Sequence, residues 1–307
     1  MRVVDCIRRS GIRRVAAGAV LGLWAGCLPR APIPEVAAGA GQLLEVEVGY
    51  VREAGAPLRL EAEAHFVRYR VDAVGDRDAV AGLLGIDDGA AVPVGGCVAD
   101  DGAPHPSASA LEVALLDAGP LTIRAPSSDG EGDRDDAMTT HAVIEPQRYP
   151  EIMPFVSGVV YGVDAALARP VVPGAHVELT AAGGEDLPPF TLAGPLPAAF
   201  PDLSVAPAAD GSVELRWAAP VAGATVQLEL RWNGARPGAV RCRAADEGRF
   251  VVGRALLAGL GDALERGDGV QATASRSERS PFEIPGIGTG WLTLSLQDLV
   301  AAGARTR

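Results

Sequence analysis

The residues best suited to hold a metal ion are the carboxylates Asp129, Glu131, Asp133 and Asp135, set at alternate positions with Gly130, Gly132 and Arg134 between them. Oxygen ligands on a glycine-rich loop can wrap Ca²⁺. The run departs from EF-hand spacing, so a solvated acidic loop is the competing reading. The four histidines, His65, His105, His141 and His176, are scattered, and no HExxH or HxxxH spacing occurs. That leaves no readable zinc-hydrolase site. No serine sits in Gly-x-Ser-x-Gly, so the common hydrolase elbow is missing too. No catalytic residue is assigned, and the chain is expected to be non-enzymatic, with no cofactor unless Ca²⁺ binds. Trp291 falls out of phase with Leu292, Leu294 and Leu296 and is the candidate binding aromatic.

Two cysteines, Cys97 and Cys242, would remain in a mature secreted chain. They would meet an oxidising compartment, where they either pair or stay as two buried thiols. Cys242 shares an apolar strand phase with Val240, while Cys97 follows the loop-like Val94-Gly95-Gly96.

The elements that must position these residues follow a leader. Arg2, Arg8, Arg9, Arg13 and Arg14 precede an apolar run from Val15 to Trp24, and Ala25-Gly26-Cys27 closes it. A basic segment, a short apolar segment and small residues define a secretory signal peptide. The run is too short to span a bilayer as a helix. Leu23-Trp24-Ala25-Gly26-Cys27 resembles a bacterial lipobox, which implies lipidation of Cys27 and attachment to a membrane through that anchor. Ordinary cleavage near Ala38-Gly39-Ala40, giving a secreted or periplasmic protein, and an uncleaved anchor are the alternatives. Leu28 rather than Asp follows the cysteine, which points to the outer membrane. Residues 1–26 are thus the expected leader and 27–42 a Pro/Ala/Gly-rich tether.

The whole chain carries 39 acids against 27 basic residues, a net charge of −12, and every basic residue is arginine. Removing five arginines and Asp5 with the leader takes the net charge to −16. A chain this acidic is no nucleic-acid binder. Without lysine it has no Walker-type or Schiff-base lysine.

Period-two alternation dominates the rest. Leu44, Val46, Val48 and Tyr50 alternate with Glu45, Glu47 and Gly49, and a second strand follows from Leu58. Its apolar phase slips at Phe66-Val67, which predicts a bulge or bend. Further short strands with turn signals between them predict a mainly β fold of two β-sandwich-like domains, 43–197 and 198–297, with a tail at 298–307. The boundary rests on the Pro-rich stretch Pro195–Pro201. Helical turns are expected at Asp78–Leu84 and at Ala255–Glu265.

Pro201-Asp202-Leu203-Ser204-Val205 through Leu215-Arg216-Trp217-Ala218-Ala219-Pro220 resembles the opening of a fibronectin type III or immunoglobulin-like module. The resemblance implies a Pro-initiated first strand and a core Trp at the end of the second. The layout as a whole resembles secreted lipoproteins of GC-rich myxobacterial type, which implies no particular activity. The expected role is interaction or scaffolding at the cell envelope, with an envelope protein or a glycan as partner. The alternative is a secreted carbohydrate- or calcium-binding adhesin module.

Overall fold

Alternation becomes structure most directly in β1 (Gly39–Glu53), where Leu44, Val46, Val48 and Tyr50 are buried and Glu47 is exposed. The computed structural model describes residues 39–71, 80–82, 84, 86, 92–100, 111–126, 138–150, 155–233, 237–257 and 269–301. Cys27 and the carboxylates Asp129, Glu131, Asp133 and Asp135 lie outside them, as does His105. The described residues all belong to one compact unit, Val36–Arg307.

β1 pairs antiparallel with β2 (Arg59–Val71) in unbroken register, from Gly39 opposite Val71 to Val51 opposite Arg59. The other elements are β3 (Gly96–Asp100), β4 (Leu111–Leu115), β5 (Leu121–Pro126), β6 (Met138–Ile144), β7 (Gln147–Arg148), β8 (Val156–Ala166), β9 (His176–Ala181) and β10 (Phe190–Pro195). Beyond the Pro-rich stretch come β11 (Ser204–Pro207), β12 (Val213–Arg216), β13 (Thr225–Trp232), β14 (Gly238–Ala245), β15 (Arg249–Val252), β16 (Val270–Ile284) and β17 (Gly288–Ala301). The fold is mainly β and sandwich-like.

Ten strands form one long sheet in the order β3-β14-β13-β16-β17-β1-β2-β4-β8-β7. Its centre is a parallel pair, β1 with β17, which joins the first described strand to the last. Two smaller sheets, β10-β9-β5-β6 and β11-β12-β15, complete the fold. Both pack on the same face of the long sheet. The first cluster takes Leu44, Val46, Val48 and Tyr50 of β1 and Leu292, Leu294 and Leu296 of β17 against Leu121, Ile123, Val177 and Leu179. The second takes Val226, Leu228 and Leu230 of β13, Ala272 and Ala274 of β16 and Val300 of β17 against Val205, Val213 and Leu215. Even-numbered residues of β17 serve both clusters, so one strand face underlies two sandwiches.

The two halves of the sequence therefore interlock. β3, from the first half, forms the edge of the long sheet beside β14, and Cys97 lies opposite Cys242 in a disulfide. The β16–β17 hairpin, from the second half, reaches back to pave the first cluster through Ile284, Leu292 and Leu294. Between the clusters runs the stretch read as the domain boundary, and it is clamped by hydrogen bonds from both sides. Arg276 Nη1 donates to Ala198 O (3.1 Å) and to Ala199 O. Phe200 N–H donates to Asp298 Oδ2 (2.9 Å), and Arg52 Nη2 donates to Phe200 O (3.1 Å). Arg52 also pairs with Asp298. Arg276 and Asp298 occupy the apolar phase of their strands, and each is almost wholly buried.

Several local expectations are corrected. No bulge interrupts β2 at Phe66-Val67. Both faces are covered there: Phe66 joins the first cluster, and Val67 joins a third formed with Leu43, Val80, Val113, Leu115 and Val156 on the opposite face. A register shift occurs instead in β5–β6, between Ile123 and Arg124. Cys97 lies in a strand, not a loop. β17 continues past Gln297 to Ala301, and β1 begins at Gly39, so each strand claims residues read as tail or tether. Residues 80–82 are helical, as the pattern over 78–84 implies. Of the expected 255–265 helix, the described part is one 3₁₀ turn, Arg254–Leu256.

A tight corner shows how local chemistry holds the first sandwich. Tyr161 Oη donates to Asp117 Oδ1 (3.1 Å) and accepts from Ala118 N–H (2.7 Å), while its ring packs edge-on against Phe66. Burial pushes the phenol's pKa up, so it stays neutral. Gly119 (φ 69°) also donates to Asp117 Oδ1, and a Cβ there would sit 2.3 Å from Gly183 O. Tyr161→Phe strands a buried Ala118 N–H. It should lower stability by about 1–3 kcal/mol, read as a reduced urea midpoint at unchanged slope.

Candidate functional site

Because both small sheets sit on one face, the odd-numbered residues of β1 and β17 point to the other. The register sets them in transverse rows. Glu63, Glu47, Thr293 and Arg279 align across β2, β1, β17 and β16, and Glu61, Gly49, Ser295 and Ser277 form the next row. His65, Glu45, Trp291 and Pro281 form the row on the other side. With neighbouring strands about 4.8 Å apart, each row is roughly 15 Å long, and polar groups predominate except at Gly49, Trp291 and Pro281. Ile86, beyond the helical turn, packs against the third cluster and borders this face.

Two cavities indent the face. One, of about 150 Å³, is lined by Glu45, Glu47, Arg279, Thr293 and Ser277 among others. The second, of about 460 Å³, is lined by Glu47, Gly49, Glu61, Glu63 and Asp164 among others. Glu47, Ser295 and Gln297 line both. Gly49 lowers the floor, since a Cβ there would lie 3.0 Å from Ser295 Oγ.

The charges are mostly committed. Arg279 Nη2 donates to both oxygens of buried Glu45 (3.0 and 3.3 Å), and its guanidinium lies 4.6 Å from the Trp291 ring centre. Arg59 donates to both oxygens of Asp164 (3.1 and 2.6 Å) and to Glu61 (2.9 Å). His65 Nε2, 3.5 Å from Glu63 Oε2, holds the Glu63 carboxyl below its ordinary value. Glu47 differs. Although the residue is solvent-accessible, desolvation chiefly, where the two cavities meet, then the neighbouring Glu63 and Glu45 charges, raise its carboxyl, against a partial offset from His65 and Arg279. Its carboxylate has no ion pair among the described residues.

Of the residues singled out by sequence, Trp291 lies on this face, half-buried beneath Arg279. Cys97 and Cys242 form the bridge at the far edge of the sheet. His65 borders the cavities, His176 is exposed at the start of β9, and His141 packs edge-on to Tyr50. Among the described residues no group of three or more His, Cys, Asp or Glu side chains is placed to hold a metal ion. Sequence reasoning missed Glu47, Glu61, Glu63, Arg279 and Ser295 as site residues. Their signal was the polar half of the alternation, read only as a solvent face.

Fold and site together define a mainly β, sandwich-like chain with a polar, indented face on its shared sheet. No family model matches this chain, nor does any curated protein or any solved structure.

Proposed function

We propose that the protein is a non-enzymatic cell-envelope lipoprotein, anchored through Cys27, that acts in interaction or scaffolding through the polar face of its long sheet. The observation that carries this reading is the placement of both small sheets on one side. Beside the third cluster, it leaves an indented polar surface on the opposite side among the described residues. The leader pattern supports the anchor, and the Cys97–Cys242 bridge suits an oxidising compartment. A second reading, a carbohydrate-binding adhesin, is favoured by the Trp291 ring beside the hydroxyl-lined cavity.

Anchor and face are tested separately. Full-length protein should take up labelled palmitate and Cys27→Ala protein should not; a wild type without label overturns the anchor. The Cys27→Ala protein should still sediment with purified envelope. Adding Ser295→Trp, which fills the cavities, should weaken that sedimentation by about tenfold, near 1.4 kcal/mol. Undiminished sedimentation would remove the face from the interaction.

A further inference from the structure

We infer that the polar face takes an amine-bearing saccharide, its ammonium seated at Glu47 and its hydroxyls on Ser295, Gln297 and the carboxylates of β2. This rests on the binding-face reading above and names its ligand class. Four observations converge on it.

First, the uncommitted charge is negative. Among the described residues Arg279 is held by Glu45 and Trp291, Arg59 is shared by Asp164 and Glu61, and Glu63 has only His65, so the negative surplus spreads over Glu47 and its neighbours on β2, with Glu47 alone in having no partner of its own. An anionic ligand would meet Glu47, Glu61 and Glu63 together. Second, the cation it calls for is organic, because no set of carboxylates and imidazoles here is arranged as a metal cage among the described residues. Third, the lining offers acceptors and two-way groups side by side: carboxylates at Glu47 and Glu61, hydroxyls at Ser295 and Thr293, an amide at Gln297. A sugar hydroxyl both donates and accepts, so it matches such a mixture, whereas a simple polyamine, a donor only, would engage the carboxylates and leave the donors of the hydroxyls and the amide to water. Fourth, the cavities share Glu47, and the larger, about 460 Å³, lies in the range of small-ligand sites, roughly 300–1,000 Å³. An ammonium at Glu47 would also relieve the crowding of like charges there.

The test is calorimetric titration of the full chain with four probes: a glucosamine trimer with free amines, its fully N-acetylated counterpart, a neutral glucose trimer and trilysine. The free-amine trimer should bind at least tenfold tighter than the other three, and Glu47→Gln should weaken it by about tenfold, near 1.4 kcal/mol. Desolvation and like charges disfavour the Glu47 carboxylate, so Glu47→Gln should melt no lower than the wild type, and Ser295→Trp should abolish binding. Equal binding of the acetylated or neutral trimer, equal or tighter binding of trilysine, or no binding at millimolar probe overturns the inference. If no probe binds while Ser295→Trp still releases the protein from envelope, the face keeps its role and only the ligand class falls.

Discussion

Arg276→Met should destabilise the protein by about 3–5 kcal/mol, because it leaves a buried carboxylate without its counter-charge. Arg276 and Asp246 are only 3% and 6% exposed. Arg276 Nε donates to Asp246 Oδ2 (2.8 Å), Trp217 Nε1 donates to Asp246 Oδ1 (2.6 Å), and Val221 N–H donates to Asp246 Oδ2 (3.0 Å). The guanidinium also serves Ala198 O, Ala199 O and Ala219 O, and it lies 4.1 Å from the Phe200 ring centre. Phe200 in turn meets Trp217 edge-on. One side chain thus ties β16 to the clamped stretch, to the second sandwich's core Trp and to the Ala219 turn. Replacing both charges, Arg276→Met with Asp246→Leu, should recover only part of the loss. The buried Trp217 N–H would still lack a partner, as would the half-buried Ala199 carbonyl, and each buried orphan costs about 1–3 kcal/mol.

The same pair has a pH signature. Burial alone would raise the Asp246 carboxyl, but the hydrogen bonds from Arg276, Trp217 and Val221 outweigh it and hold the carboxyl below its ordinary value. A carboxyl depressed in the folded state contributes stability above its unfolded pKa, about 3.9, and loses that contribution as pH falls through the lower folded value. Melting temperature followed from pH 7 to 2 should therefore drop below about pH 4 in the wild type. The drop should be shallower in Asp246→Asn, which starts from a lower plateau. Parallel curves would show that Asp246 does not carry the acid response.

Much of this architecture was legible in the chain, for a definite reason. A sheet buried on one face must alternate, so β1, β13 and β17 announced themselves through Val46, Leu228 and Leu294. The out-of-phase position of Trp291 likewise predicted the face it occupies. What alternation cannot express is which sandwich a strand joins. Cys97 follows two glycines and looks like loop, yet its strand crosses to the far edge of the sheet. Arg276 and Asp298 break the apolar phase, and only their partners, some at separations of 98 and 246 residues, explain why burial is tolerated. The candidate site was hidden for a related reason. Glu47 and Ser295 belong to the polar phase of ordinary strands. Their face becomes a site only because both small sheets choose the other side, and that choice is made by long-range packing. Phe66-Val67 looked like a phase error because one end of β2 is covered on both faces.

Removing the Cys97–Cys242 bridge should produce the other large effect. The bond spans a sequence separation of 145 residues. Closing a loop of that size restricts the unfolded chain by an amount worth about 5 kcal/mol in the chain-entropy model, at the upper end of what natural bridges deliver. The native state also depends on it locally. β3 is a five-residue edge strand, paired among the described residues only with β14, which belongs to the other half of the sequence. Without the bond, β3 should leave the sheet first, exposing the β14 edge and the Cys242 side of the second cluster. Two measurements separate these effects. A Cys97→Ser, Cys242→Ser double variant should melt about 10 °C below the oxidised wild type, and the reduced wild type should match it. Hydrogen exchange should show the amides of 97–99 and of 240–242 losing protection under conditions where β1 and β17 keep theirs. Equal melting temperatures with and without reductant would mean that the bridge restrains nothing. Uniform loss of protection would mean that β3 is no separate opening unit and that the interlocked halves unfold as one.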